Sequence, residues 1–263
     1  MNIIALLTDY GLKDHYVGTI KGVIKTINPK AEIIDISHNL ELGNVLSASF
    51  LLANSYKYFP LNTIFICIVD PDVGSESEPI LIKTRNYYFI GRNNGVFTQV
   101  LENEIVEKIF FLDNHNYFLK PISNTFHGRD IFAPIGAYLS KGINPENFGK
   151  KINIDNLYNL PLPKPIIKQD VIEGNIIYVD RFGNLITNIH KNILTNELSK
   201  YFIKISNFEI KGINSTFSDV RTKDLVCYIG SSQYLELGLN FDSLDKKDPD
   251  LKYQKITVTY KLD

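Results

Sequence analysis

Cysteine is scarce in this chain, charge of neither sign is in excess, and long apolar runs are missing. The two cysteines among 263 residues, Cys67 and Cys227, each lie inside a short apolar run, Ile64-Phe65-Ile66-Cys67-Ile68-Val69 and Leu225-Val226-Cys227-Tyr228-Ile229. They read as buried reduced thiols, because a disulfide framework or a zinc site needs partners the sequence does not supply. Lysine and arginine total 28 against 29 aspartates and glutamates, a formal net charge of -1. Such a balance offers no basic field for a phosphate backbone and no polybasic run for a membrane surface, so neither nucleic acid nor membrane is expected as a partner. No stretch approaches the ~20 apolar residues of a membrane span. The opening run Ile3-Ile4-Ala5-Leu6-Leu7 is too short for a signal peptide and has no basic residues ahead of it, so a cytoplasmic protein is expected. Neither G-x-G-x-x-G nor a P-loop occurs, which removes the commonest phosphate-binding signatures.

What is present is enough chain for two ordinary domains, able to bury roughly three quarters of its unfolded surface. The first half alternates short apolar runs with helical patterns: strands over 3–7, 31–36 and 63–69, and helices over 17–27 and 44–59, the second stopped by Pro60. That order predicts an α/β layer with a mostly parallel sheet. From Pro79 the pattern becomes a hairpin, 80–84 and 87–90 joined at Arg85-Asn86, and a helix is expected from about Gly128 to Ser140. The stretch Leu160-Pro161-Leu162-Pro163-Lys164-Pro165 fits neither a helix interior nor a central strand and reads as a stiff linker. The expected division is therefore an α/β N-terminal domain over 1–160, a linker over 161–165, and a small all-β, barrel-like C-terminal domain over 166–263. Strand-like segments at 175–179, 201–205, 208–210, 225–229, 234–239 and 255–261 support the last.

Polar clusters follow the predicted strands, where open α/β sheets place ligands. The first is Thr8-Asp9-Tyr10-Gly11-Leu12-Lys13-Asp14-His15-Tyr16-Val17-Gly18. Asp9 at this place can accept hydrogen bonds from a ribose diol or can cap the following helix. Then come Val69-Asp70-Pro71-Asp72-Val73-Gly74-Ser75, Gly91-Arg92-Asn93-Asn94-Gly95, and Asn124-Thr125-Phe126-His127-Gly128-Arg129-Asp130. The second half carries Asp180-Arg181-Phe182-Gly183-Asn184 and Gly230-Ser231-Ser232-Gln233-Tyr234-Leu235-Glu236. Taken in order, these six motifs resemble the S-adenosylmethionine hydroxide adenosyltransferase family, the relatives of the fluorinase and chlorinase enzymes.

The resemblance implies hydrolysis of S-adenosylmethionine to adenosine and L-methionine, without a metal or redox cofactor, by a homotrimer with sites at subunit interfaces. It implies an Asp, Arg and His trio around the attacking water; Asp70 matches the first and His127 the third. The arginine position falls at Ser77, Asp72 stands where the family usually has glycine, and Arg92-Asn93 where it has Pro-Asp. A two-residue turn at Arg85-Asn86 pairs Ile80 with Gly91 and Pro79 with Arg92, bringing Arg92 close to the loop without its arginine. Arg92 is thus a candidate replacement for the missing charge, or a solvated residue at a hairpin end. Arg129 is expected to pair with Asp130. For the substrate, the resemblance points to Asp9, Asp14 and Tyr16 in the first half. It further implies Asp180 and Ser231 at the methionine end, and Asn184, Phe182 and the Leu239 backbone at the adenine, with Glu236 either a ligand or a paired structural acid. Gln233 replaces a common glycine. Two alternatives remain: a catalytically weak protein that binds S-adenosylmethionine or adenosine, and a halide-using adenosyltransferase, against which Gly128 stands where fluorinating members carry a hydroxyl.

Overall fold

A computed structural model describes residues 3–70 and 78–260. The chain divides into two units, Met1–Leu160 and Pro161–Asp263.

In the first unit the strands are β1 (Ile3–Thr8), β2 (Glu32–Ser37), β3 (Ile64–Ile68), β4 (Pro79–Thr84), β5 (Tyr88–Arg92), β6 (Val106–Leu112) and β7 (Gly149–Ile152). They form one seven-stranded sheet in the order β2-β1-β3-β5-β4-β6-β7. The first four are mutually parallel, and β4, β6 and β7 add on antiparallel. The sheet is therefore mixed, which corrects the expectation of a mostly parallel one. The cause is the tight turn at Arg85-Asn86, which returns the chain at once and sets β4 antiparallel to β5; a parallel neighbour would have required a long crossover. The same turn pairs Ile80 with Gly91 and Pro79 with Arg92, the register expected from its length.

Helix α1 (Tyr16–Ile27) buries Val17, Ile20 and Ile24, spaced to share one face, and ends before Pro29. Asn28 closes it by donating its side-chain amide to Ser140 Oγ at 2.8 Å. Helix α2 (Val45–Ser55) starts on Asn44, whose side chain accepts the Ser47 N–H, and tightens into a 3-10 turn over Tyr56–Tyr58 ahead of Pro60. A short helix α3 (Thr98–Leu101) follows β5. The helix expected over 128–140 has two parts: a wide π turn over Gly128–Phe132, then α4 (Ala133–Ser140). Pro134 has no N–H to give the Asp130 carbonyl, and that carbonyl instead accepts the Leu119 N–H at 2.9 Å. Ile4, Leu6, Ile64, Ile66, Ile68, Phe110, Phe132 and Ile135 are among the buried side chains that join sheet and helices in one core.

The second unit holds β8 (Ile166–Lys168), β9 (Val171–Val179), β10 (Leu185–His190), β11 (Tyr201–Ile205), β12 (Phe208–Lys211), β13 (Leu225–Ile229), β14 (Tyr234–Leu239) and β15 (Lys255–Tyr260). The path β12-β11-β15-β9-β10-β14-β13 is antiparallel throughout, with β8 beside β9. It curls into a nearly closed barrel: beyond β12, the Asn214 N–H donates to Cys227 O at 2.6 Å, bringing the two ends of the path together. Leu185, Ile203, Ile205, Cys227, Leu235, Leu237, Ile256 and Val258 fill its interior.

Candidate active site

Parallel register places three polar side chains side by side in the first unit. Thr8 at the end of β1 lies opposite Ile68 at the end of β3, and Cys67 lies opposite Gly91 of β5. Asp9, Asp70 and Arg92 thus sit at or just past the C-terminal ends of adjacent strands, where an open α/β sheet leaves a crevice. His127 comes to them from the residue before the π turn.

Arg92 is 4% exposed and organises the group. Its Nε donates to Asp70 Oδ2 at 2.7 Å, and its Nη2 lies 3.3 Å from His127 Nδ1. A guanidinium has donors only, so His127 Nδ1 accepts and the ring proton resides on Nε2. Burial lowers the His127 pKa from its ordinary value, and the Arg92 charge lowers it further, against the opposing pull of Asp70 and Asp130. The imidazole is accordingly neutral at neutral pH. The Asn94 amide donates to Val69 O at 2.8 Å and fixes the backbone ahead of Asp70.

Asp9 is not a helix cap: the residue that precedes α1 is His15, which makes no side-chain cap, and Asp9 Oδ2 instead accepts the Gly43 N–H at 2.8 Å. Burial raises its pKa. Together with Tyr10, Tyr16, Asp70, Phe126, His127 and Gly128, Asp9 lines a cavity of about 420 Å³, a volume suited to a small organic ligand. The Tyr10, Tyr16 and Phe126 rings pack on one another with centroids 5.2 to 6.0 Å apart. Asp14 is exposed and lies off this wall. Arg92 is not on the wall either; it stands behind Asp70 and His127. Arg129 pairs with buried Asp130 at 2.6 Å. Ser77 and Asp72 lie outside the described residues.

One network escaped the sequence reading. Buried His38 is held by Thr8 Oγ1, 2.8 Å from Nδ1, and its Nε2 lies 3.1 Å from Asp35 Oδ1 without making a hydrogen bond, with Lys21 on the other Asp35 oxygen. Its carbonyl accepts the Gly11 N–H at 2.6 Å, so both the side chain and the backbone of His38 hold the loop that carries Asp9 and Tyr10. The available signal was Asp35-Ile36-Ser37-His38, polar groups at a strand end.

In the second unit Asp180 closes its own turn. Its Oδ1 accepts the N–H groups of Phe182 and Asn184, both at 2.9 Å, and its Oδ2 accepts the Asn184 side-chain amide at 2.8 Å. Gly183 takes φ +85° in that turn, with Ser243 packed where a side chain would stand. Phe182 is 75% exposed. Glu236 is buried and paired, accepting from Tyr228 Oη at 2.8 Å and Ser232 Oγ at 3.3 Å; burial raises its pKa. Ser231 is exposed and Leu239 buried. Among the described residues no cluster of three His, Cys, Asp or Glu side chains is placed to share a metal ion, and no helix is long and apolar enough to cross a membrane.

A mixed α/β unit with an acid, a guanidinium and an imidazole gathered at its strand ends, followed by an antiparallel near-barrel, defines a two-domain protein with one polar catalytic-type cluster in its first unit. The chain belongs to the SAM hydroxide adenosyltransferase family: residues 4–149 match its N-terminal domain and residues 174–248 its C-terminal domain. It is 35% identical to the (R)-S-adenosyl-L-methionine hydrolase of Methanocaldococcus jannaschii, over 94% of this chain and 91% of that one. The fluorinase of Actinoplanes sp. is more distant, 26% identical over 90% and 91% of the two chains. The crystal structure of an uncharacterized conserved protein from Thermotoga maritima superposes with a TM-score of 0.88 at 36% identity, covering 97% of this chain and 99% of that one.

Proposed function

We propose that this protein hydrolyses S-adenosyl-L-methionine to adenosine and L-methionine, water attacking the ribose 5′ carbon in line with the carbon–sulfur bond. The observation that carries the reading is Arg92 bridging Asp70 and His127 beside a ligand-sized cavity. Neutral water is a poor nucleophile and must lose its proton as it attacks. Asp70 has one oxygen committed to Arg92, and its other oxygen, which has no hydrogen bond among the described residues, takes that proton. His127, neutral with its proton on Nε2, donates a hydrogen bond to the same water and supports the charge that grows on its oxygen. As the new carbon–oxygen bond forms, the carbon–sulfur pair moves onto sulfur, and methionine departs as a neutral thioether. Asp70 ends protonated and the sulfonium charge is gone, so atoms and charge balance.

In this assignment the Asp70 carboxylate is the base and the His127 imidazole the donor. Arg92 is a positioning residue, since it acts through both. Asp9, on the cavity wall, takes the ribose hydroxyls in this reading. Three of about four lone-pair positions on Asp180 are used by its turn, and the fourth suits an ammonium. Phe182 and Asn184 fit an adenine contact, as the resemblance implies, and the homotrimer it implies is part of the same reading, measurable by light scattering.

The test is turnover in water enriched in oxygen-18. Adenosine carrying the label in its 5′ hydroxyl is the expected product. Tight binding with no adenosine would instead identify a sequestering protein, and 5′-chloro-5′-deoxyadenosine in the presence of chloride a halide-using transferase.

A further inference from the structure

Tyr10 is a cavity-lining residue to which hydrolysis by Asp70 and His127 assigns no task. It follows Asp9 directly and is half-buried, its ring fixed edge-on by Phe126 and tilted against Tyr16. Its backbone is held as well, the N–H donating to Thr8 Oγ1 at 3.3 Å. Its hydroxyl makes no hydrogen bond among the described residues, and the residue lines the cavity. A rigid ring thus carries an unused donor in a residue that lines the same cavity as Asp70 and His127.

The place of that hydroxyl is set by the glycine after His127. A Cβ on Gly128 would stand 2.9 Å from Tyr10 Oη and 3.1 Å from the Ile68 side chain. Any side chain at 128 would compete with the phenol for one position beside His127, so the bare backbone of Gly128 is what lets the hydroxyl rest there. The charges of Asp9, Asp70 and Arg92 all act on the phenol. Burial and the two carboxylates hold its pKa far above neutrality, which keeps the proton on the oxygen and leaves it a donor.

We propose that the Tyr10 hydroxyl is a third catalytic group, donating a hydrogen bond to the attacking water oxygen while Asp70 removes a proton from it. Tyr10 keeps its own proton throughout, so the balance of the reaction is unchanged. With Tyr10 and His127 the nascent hydroxide has two neutral donors aimed at it, and such preorganised donors act mainly on the transition state. This role rests on the hydrolytic reading and deepens it.

Three variants test it: Tyr10→Phe, Gly128→Ala and the double variant, each assayed for adenosine formation, KM and thermal midpoint. Tyr10→Phe keeps the ring packing and removes only the oxygen; kcat is expected to fall about 10²-fold with KM changed by less than roughly 2-fold. Gly128→Ala removes no functional group but displaces the hydroxyl, and a comparable loss of kcat is expected. Because both act on one hydroxyl, the double variant should be no slower than Tyr10→Phe alone. Wild-type kcat in Tyr10→Phe with an active parent overturns this role while leaving hydrolysis intact, and so does a double variant whose loss is the product of the two. A wild-type protein that forms no adenosine overturns both readings. If Gly128→Ala does not fold, Tyr10→Phe decides by itself.

Discussion

Arg92 Nε donates to Asp70 Oδ2 at 2.7 Å, a contact between residues 22 apart in sequence that lie at the ends of adjacent parallel strands. The Cys67–Gly91 pairing brings the two chain ends level, and the hairpin register then presents Arg92 at the strand terminus. Both partners are largely withdrawn from solvent, with side chains 4% and 11% exposed, so the pair is weakly screened. The second bond of the guanidinium, to His127, makes it a two-point support that a single ammonium cannot copy. Arg92→Ala should therefore lower kcat by about 10²-fold or more, and Arg92→Lys by about 10-fold, with KM for S-adenosylmethionine little changed. Steady-state adenosine formation checks this. Wild-type kcat in Arg92→Ala would remove the proposed role.

The pH dependence of turnover follows from the direction of the His127 shift. Burial first, then Arg92, place its folded-state pKa below the ordinary 6.5. The neutral ring persists at neutral pH, and kcat should decline only when the pH falls through that lowered value. Removing Arg92 takes away one of the two lowering causes, so the acid limb of residual activity in Arg92→Ala should move to higher pH. Stability obeys the same sign. The unfolded chain binds this proton more readily than the folded one, so His127 contributes stability in full above 6.5 and loses it as pH falls towards the folded value. A pH–rate profile with no displacement between parent and variant would contradict the assigned contact.

Much of this arrangement was legible in the sequence because short-range rules fixed it. The turn at Arg85-Asn86 dictates the pairing of Pro79 with Arg92, and from that pairing alone Arg92 could be put near the site. What escaped was decided at longer range. β6 mixes glutamate and lysine into its run and β7 two lysines, since part of each strand faces solvent, and so these two outer antiparallel strands carried no clear pattern. β10 hides Thr187 and Asn188 in the interior, which breaks the alternation expected of a strand. The π turn depends on Leu119 reaching the Asp130 carbonyl, a partner 11 residues away. The Thr8–His38–Asp35 network likewise joins two strand ends that only the folded sheet makes neighbours.

That network yields a prediction about binding. Thr8 is fully buried, and its hydroxyl both meets His38 and receives the Tyr10 N–H. Thr8→Val preserves shape but leaves His38 Nδ1 and the Tyr10 amide without a partner, at a cost of about 1–3 kcal/mol. The loop they anchor carries Asp9, whereas Asp70 and Arg92 hang from other strands. The unfolding midpoint should drop, KM for S-adenosylmethionine should rise roughly 3- to 10-fold through Asp9, and kcat should fall as well, because the same loop carries Tyr10. Thr8→Ser, which restores the hydroxyl, should recover most of the binding. Unchanged KM and kcat in a destabilised Thr8→Val would show that Asp9 and Tyr10 keep their places without the Thr8 hydroxyl.

The final prediction concerns a residue outside the site. Gln233 in the β13–β14 connection has φ +67°, a left-handed conformation that costs a residue with a Cβ about 1–2 kcal/mol. Two bonds hold it there: its N–H donates to Gly230 O at 2.9 Å, and its carbonyl accepts the Lys191 N–H at 2.8 Å. The side chain itself is exposed, so little is lost by deleting it. Gln233→Gly removes the steric cost and keeps both backbone bonds, while the freer unfolded chain takes back about 0.4–1 kcal/mol. The net expectation is a gain of about 0.5–1 kcal/mol in unfolding free energy, measured by urea denaturation. Gln233→Ala separates backbone from side chain: it deletes the amide yet retains the Cβ, and its stability should remain near that of the parent. Equal gains in the two variants would mean that the strain lies in the glutamine side chain and not in the turn.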